Sequence, residues 1–78
     1  MNNQNYINAE IMFMISQLPY SKFIKIPKEY VENIFNNIDL KHYKMFDKNK
    51  TFYKQNISEE ALLQFDELCS NYFDDYNE

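Results

Sequence analysis

The chain has 78 residues, a formal net charge of −4 and an aromatic content of 18%, supplied by seven Phe and seven Tyr. So short a chain buries only one hydrophobic core, and we therefore expect a single domain over residues 1–78. A single cysteine excludes an intrachain disulfide, and a single histidine excludes a zinc site made of histidine and cysteine alone. Glycine and arginine are absent, which excludes a glycine-rich phosphate loop and bidentate arginine contacts to nucleic acid.

The N-terminal residues carry no targeting signal. Residues 1–5 contain no Lys or Arg, and the apolar run at residues 11–15 is too short for a signal peptide or a membrane span. A lone cysteine fits a reducing compartment. We therefore expect a cytoplasmic protein that does not contact membranes.

The first predicted helix runs from about Asn5 to Leu18, after a disordered N-terminus at residues 1–4. Pro19 ends it, because the residue before a proline is driven out of the helical region. The helical spacing defines one apolar stripe, made of Ile7, Ile11, Met14, Ile15 and Leu18. Met12 and Phe13 lie off this stripe, so the helix either packs on two sides or exposes an apolar patch.

The second predicted helix follows a short connector at residues 20–26. Pro27 is suited to its first turn, with Glu29 near the positive end of the helix dipole. Asn36 and Asn37 form the predicted stop, since Asn tolerates the left-handed conformation. One apolar face is expected, made of Tyr30, Val31, Ile34, Phe35 and Ile38.

Residues 39–56 show no helical period, and we predict an irregular connector there. The stretch from Leu40 to Phe46 leaves room for a short extended segment. His42 is expected on the surface of this connector.

The third predicted helix begins after Ser58, a favourable N-cap, and carries Glu59 and Glu60 in its first turn. Ile57 and Leu62 occupy the positions of a hydrophobic staple. The predicted apolar face is completed by Ala61, Phe65, Leu68, Cys69, Tyr72, Phe73 and Tyr76. Residues 76–78 are expected to fray. The predicted fold is thus an all-α, three-helix domain.

Charge is distributed unevenly along the chain. Residues 22–56 hold all eight lysines and four acids, a net charge of +4, whereas residues 57–78 hold seven acids and no base, a net charge of −7. The acidic side of the third helix either keeps the surface solvated or docks on a basic surface of a partner. Both interpretations remain open at this stage.

No catalytic, cofactor or metal site is predicted. A serine or cysteine nucleophile would need His42 beside Ser58, Ser70 or Cys69, and their spacing does not indicate this. Cys69 lies on the apolar face of its helix and is predicted to be a core residue. We expect no enzymatic activity.

The segment 41–54 interleaves five lysines with Tyr43, Phe46, Phe52 and Tyr53. Such a pattern is typical of single-stranded nucleic-acid binding, in which bases stack on aromatic rings. The alternative is that the aromatic rings are buried and the lysines are solvated. The acidic net charge favours the alternative.

Three short pieces carry a resemblance to known sequences: Leu18-Pro19, then Ile26-Pro27-Lys28-Glu29, then Lys50 through Gln55-Asn56-Ile57-Ser58-Glu59-Glu60. In these pieces the chain resembles small proteins of low-GC Gram-positive bacteria, especially clostridia, and of their phages and mobile elements. The resemblance spans about residues 9–70. It implies a bacterial or phage origin and a small stand-alone helical domain, and it supplies no binding residues.

The sequence therefore predicts a non-enzymatic module that binds and modulates a larger protein with a basic surface. The expected contact residues are Glu59, Glu60, Asp66, Glu67 and Asp74 for charge, with Met12 and Phe13 for apolar contact. One alternative is a phage or mobile-element inhibitor of a bacterial defence or nucleic-acid-handling enzyme that acts through the same acidic face. Another is a single-stranded nucleic-acid binder that uses residues 41–54. A homo-oligomer that buries Met12 and Phe13 is also open.

Overall fold

In the computed structural model, residues 3–49 and 56–75 are described, and the regular structure of these residues is entirely helical. The helices are α1 (Asn3–Ser16), α2 (Tyr20–Phe23), α3 (Lys28–Asn36), α4 (Leu40–Lys48) and α5 (Glu59–Tyr72). The all-α prediction is confirmed. The prediction of three helices is wrong, because two of the stretches expected to be connectors contain α2 and α4.

α1 is the central helix, since α3, α4 and α5 all pack against it. Its residues 8–11 and 13–15 are buried. Phe13, off the main apolar stripe, packs toward Phe46 of α4 with ring centroids 6.1 Å apart. α1 is therefore packed on two sides, and the exposed apolar patch considered for Met12 and Phe13 is not formed.

The N-terminus is more ordered than predicted over residues 3 and 4. The Gln4 side-chain amide donates to Asn8 Oδ1 at 2.8 Å and to Gln64 Oε1 of α5 at 3.0 Å. These contacts join the first turn of α1 to α5, so the predicted disorder at residues 1–4 is wrong for residues 3 and 4.

The connector after α1 contains the one-turn helix α2. Pro19 is its N-cap, and the Pro19 carbonyl accepts from the backbone N–H groups of Lys22 and Phe23, each at 3.0 Å. A proline ends α1 as predicted, yet it also starts the next turn, because its carbonyl remains free to accept.

α3 begins one residue later than predicted, because Pro27 is its N-cap and not part of its first turn; it ends at the predicted place, but for a different reason. Asn37 has φ = −128°, so it does not adopt the left-handed conformation. Its carbonyl accepts from the buried Asn8 side chain at 2.8 Å, and its own side chain donates to the Asn33 carbonyl at 2.8 Å. Side-chain hydrogen bonds thus end this helix where a glycine would otherwise serve.

α4 replaces most of the predicted irregular connector. Asp39 is its N-cap and accepts from the His42 backbone N–H at 2.8 Å. No strand is present among residues 3–49 and 56–75, so the extended segment allowed at residues 40–46 is not observed. Residues 50–55 of the predicted connector lie outside the described part of the chain.

α5 has the predicted start. Ser58 Oγ accepts from the Ala61 backbone N–H at 3.1 Å, which is the expected capping bond. Ala61, Leu68 and Cys69 are buried, and the Cys69 side chain belongs to the core as predicted. Leu62, by contrast, is 46% exposed, so its assignment to the buried face was wrong. The frayed end predicted at residues 76–78 falls outside the described residues.

Candidate functional site

The solvent-facing side of α5 carries the acidic residues that the sequence singled out. Glu59, Glu60, Asp66 and Glu67 are all exposed, and Asp74 is exposed just after the helix. They face water because the opposite side of α5 packs on α1 through Ala61, Leu68 and Cys69. The structure thus places the charged residues predicted to contact a partner on an accessible surface.

Two leucines interrupt this acidic surface. Leu62 is 46% exposed and Leu63 is 65% exposed, and with Glu59 they line a shallow depression of about 290 Å³. Asp66 follows Leu62 by four residues and Leu63 by three, so it lies on the same side of the helix. We call Glu59, Leu62, Leu63 and Asp66 the α5 face.

The apolar part of this face is not among the contact residues predicted from the sequence. The staple pattern predicts that Leu62 faces inward, and Leu63 lies outside the predicted apolar face. A helical wheel centred on Leu68 and Ala61 would have found Leu63, because it points almost directly away from them. The predicted apolar contacts, in turn, are less accessible: Phe13 is 1% exposed, and Met12 is partly buried against the core.

The chain segment after α5 is held against α2. Lys22 Nζ forms an ion pair with Asp75 and lies 5.2 Å from the centre of the Phe73 ring. The hydrogen bond from Lys22, together with a backbone hydrogen bond, lowers the pKa of the Asp75 carboxyl. This contact joins the basic part of the sequence to its acidic end.

A buried polar cluster lies on the other side of α5, at its N-terminus. Glu10 of α1 is 5% exposed, and its Oε1 accepts from the Ser58 backbone N–H at 2.9 Å and from Ser58 Oγ at 2.8 Å. Its Oε2 lies 2.8 Å from His42 Nε2. Tyr6 and Phe46 contact the His42 ring edge-to-face, each with centroids 4.8 Å apart. One carboxylate therefore links α1, α4 and the cap of α5.

The order of these groups differs from that of a nucleophilic triad. In a triad the imidazole stands between the hydroxyl and the carboxylate, so that it can take the hydroxyl proton. Here the carboxylate of Glu10 stands between Ser58 and His42, and Ser58 Oγ also accepts from Ala61 N–H. The arrangement suits a structural tie between helices, in which each polar group already has a partner.

The sequence contains one signal for this cluster. Glu10 lies three residues after Ile7 and four before Met14, which places an acid on the apolar stripe of α1. A buried acid requires partners. His42, predicted as a surface residue, is one of those partners, with only 20% of its side chain exposed.

Only two of the four aromatic residues considered for base stacking lie in the described part of the chain, and neither is fully exposed. Phe46 is 0% exposed and packs in the core, so it offers no ring to a nucleic-acid base. Tyr43 is half-buried, while Phe52 and Tyr53 lie outside the described residues.

The sequence matches no protein-family model, and comparison with curated proteins and with solved structures gives no match either. The three pieces that carry the resemblance noted above coincide in part with helix boundaries: the end of α1, the start of α3 and the start of α5. The exposed residues of this chain are therefore the guide to its function.

Within residues 3–49 and 56–75, no three or more His, Cys, Asp or Glu side chains are grouped so that they could hold a metal ion. No helix in the same residues is long and apolar enough to cross a membrane.

Proposed function

We propose that this protein is a non-enzymatic binding module that attaches through the α5 face to a basic surface on a larger protein. The observation that carries the proposal is the pair of adjacent exposed leucines, Leu62 and Leu63, flanked by carboxylates on a helix that has no basic residue. Exposed apolar side chains framed by polar ones are typical of protein interaction sites.

The two parts of the face have different physical roles. Burying an exposed leucine against a partner contributes on the order of 1 kcal/mol, so Leu62 and Leu63 supply an anchor of modest strength. The surrounding carboxylates raise the rate of association with a basic surface and disfavour acidic partners. The leucines fix the position, and the charges select the partner.

The size of the face sets the kind of complex. A helix of 14 residues is about 21 Å long. One side of such a helix presents less surface area than each partner buries in a standard stable interface. A partner must therefore either contact a neighbouring surface as well or bind transiently. Modulation of a larger protein fits both cases.

The proposal is tested by pairing face variants with matched controls. Tagged protein is used to recover partners from a nuclease-treated lysate of its own host, and recovery is quantified by mass spectrometry. Leu62→Gln is compared with Leu40→Gln, since Leu40 is 49% exposed on α4, close to the 46% of Leu62. The double variant Glu59→Lys with Asp66→Lys is compared with a control double variant on other helices. The control, Glu29→Lys with Asp47→Lys, changes the net charge by the same amount and also replaces one acid in the first turn of a helix.

We expect both face variants to lose one specific partner by about tenfold or more, whereas both controls retain it. If that partner handles nucleic acid, competition between the protein and DNA or RNA would specify an inhibitor. Equal recovery by face variants and controls would overturn the proposal. So would recovery of nucleic acid alone when nuclease is omitted.

A further inference from the structure

A groove lies between α3 and α5 on the flank of the acidic surface. Both helices pack mainly on α1, which leaves a space of about 400 Å³ between them. Its aromatic part is formed by Tyr30 of α3 and Tyr72 of α5, and the buried Leu68 also lines it. Glu60 and Glu67 of α5 line the same groove.

The aromatic part is a packed pair of rings. Tyr30 and Tyr72 meet edge-to-face, with centroids 6.4 Å apart and an angle of 68° between the ring planes. Each is partly buried against the core, so the rings are held in place. Burial, followed by the neighbouring Tyr72 and Glu67, raises the pKa of the Tyr30 phenol, which therefore stays neutral at physiological pH.

The two carboxylates that line the groove lie on the same side of α5. Glu60 and Glu67 are seven residues apart, which is close to two helical turns, so both lie along one line of the helix. Gln64, between them, donates from its side chain to Glu60 Oε1 at 3.1 Å and accepts from Gln4 at 3.0 Å. These bonds restrain Glu60 in the free protein.

Neutral aromatic rings beside carboxylates form a surface that attracts a cation by two separate interactions. A cation gains from the negative face of a tyrosine ring and from the carboxylate charge together. A guanidinium group suits this surface better than an ammonium, because it is planar, weakly hydrated and able to stack on a ring while it donates to a carboxylate. Among residues 3–49 and 56–75, no lysine lines the groove.

We propose that the groove between α3 and α5 receives an arginine side chain of the partner. The inference rests on the proposed function, because the arginine belongs to the basic surface that meets the α5 face. It adds a specific contact: Tyr30 and Tyr72 supply ring surface, and Glu60 and Glu67 supply charge. The partner would then be selected by the kind of cation it presents as well as by its charge.

The groove can be tested without the partner. Ethylguanidinium is titrated into labelled protein at constant ionic strength and followed by NMR of backbone amides and tyrosine rings, with ethylammonium as the comparison cation. We expect shift changes concentrated on Tyr30, Glu60, Glu67 and Tyr72. Glu67→Gln should weaken ethylguanidinium binding roughly threefold, in line with the loss of an exposed charge contact. Glu29→Gln, which removes an exposed acid of α3 outside the groove, should leave binding unchanged.

Tyr72→Leu should weaken binding to a similar degree, and Glu67→Gln decides the question if that variant does not fold. Equal binding of ethylammonium, or shift changes spread evenly over all exposed acids, would overturn the groove assignment. Either result would leave the α5 face untouched, since that face is judged by partner recovery with Leu62→Gln. Conversely, guanidinium binding in the groove together with undiminished partner recovery by the face variants would refute the proposed function alone.

Discussion

At the scale of single residues, the polar contacts of α1 hold several helices in register. Glu10 accepts from Ser58, 48 residues away, and its other oxygen meets His42, 32 residues away. Asn8 donates to the carbonyl of Asn37 at the end of α3. A sequence pattern flags a polar residue on a buried stripe, but only the fold identifies partners so distant along the chain.

Replacing Glu10 by Ala should lower the free energy of unfolding by about 2–4 kcal/mol. The change removes a buried acceptor and leaves the Ser58 N–H and hydroxyl without their partner, and such losses cost more than the hydrogen bonds themselves contribute. Glu10→Gln keeps an amide oxygen for Ser58 and should cost about half as much. Urea unfolding monitored by circular dichroism measures both values.

The control for this experiment is Glu32→Ala on α3, which replaces an exposed glutamate that forms a loose ion pair with Lys28 at 3.7 Å. It should change stability by no more than about 0.5 kcal/mol. Equal unfolding curves for Glu10→Ala and Glu32→Ala would show that the buried cluster does not hold the helices together.

At the scale of elements, the sequence predicts the helices whose starts are set by residues at the helix terminus itself. Pro27 at the start of α3 and Ser58 at the start of α5 were readable from the sequence. α4 was missed because its inward side includes His42 beside Phe46, while the apolar Leu40 and Met45 are 49% and 45% exposed. Leu40, Tyr43 and Phe46 nevertheless recur at intervals of three residues directly after the N-cap Asp39, so the sequence does contain a helical signal for α4.

The N-cap of α4 should nevertheless be a measurable local contribution. Asp39→Ala removes the acceptor for the His42 backbone N–H, and loss of such a cap costs about 1 kcal/mol. Asp39→Asn retains an acceptor and should cost only a few tenths of that amount. Chemical denaturation compares both with Asp47→Ala, which removes an exposed acid from the last turn of α4.

The opposite result has a clear meaning. If Asp39→Ala and Asp47→Ala destabilise the protein equally, the net charge of α4 would explain the effect and the capping bond would not. Hydrogen exchange of the first amides of α4 separates the two, because only loss of the cap exposes those amides locally.

At the scale of the whole molecule, a central helix covered on two sides explains how so short a chain buries its apolar residues. α1 contacts α3 and α5 through one side and α4 through the other, so each neighbour buries apolar surface against the same 14 residues. The Phe13–Phe46 pair supplies an aromatic contact between α1 and α4. The same arrangement removes Phe13 from the surface and leaves the leucines of α5 exposed.

Phe46→Ala should therefore affect the entire domain. Phe46 is 0% exposed, and truncation of a buried phenylalanine costs about 3–5 kcal/mol, a large part of the stability of a small domain. Phe35, which is 61% exposed on α3, provides the matched control, and Phe35→Ala should change stability by no more than about 0.5 kcal/mol. Thermal unfolding followed by circular dichroism should show a far lower melting temperature only for Phe46→Ala. Similar melting temperatures for the two variants would mean that α4 contributes little to the core, and α1 would then expose the apolar side that carries Phe13.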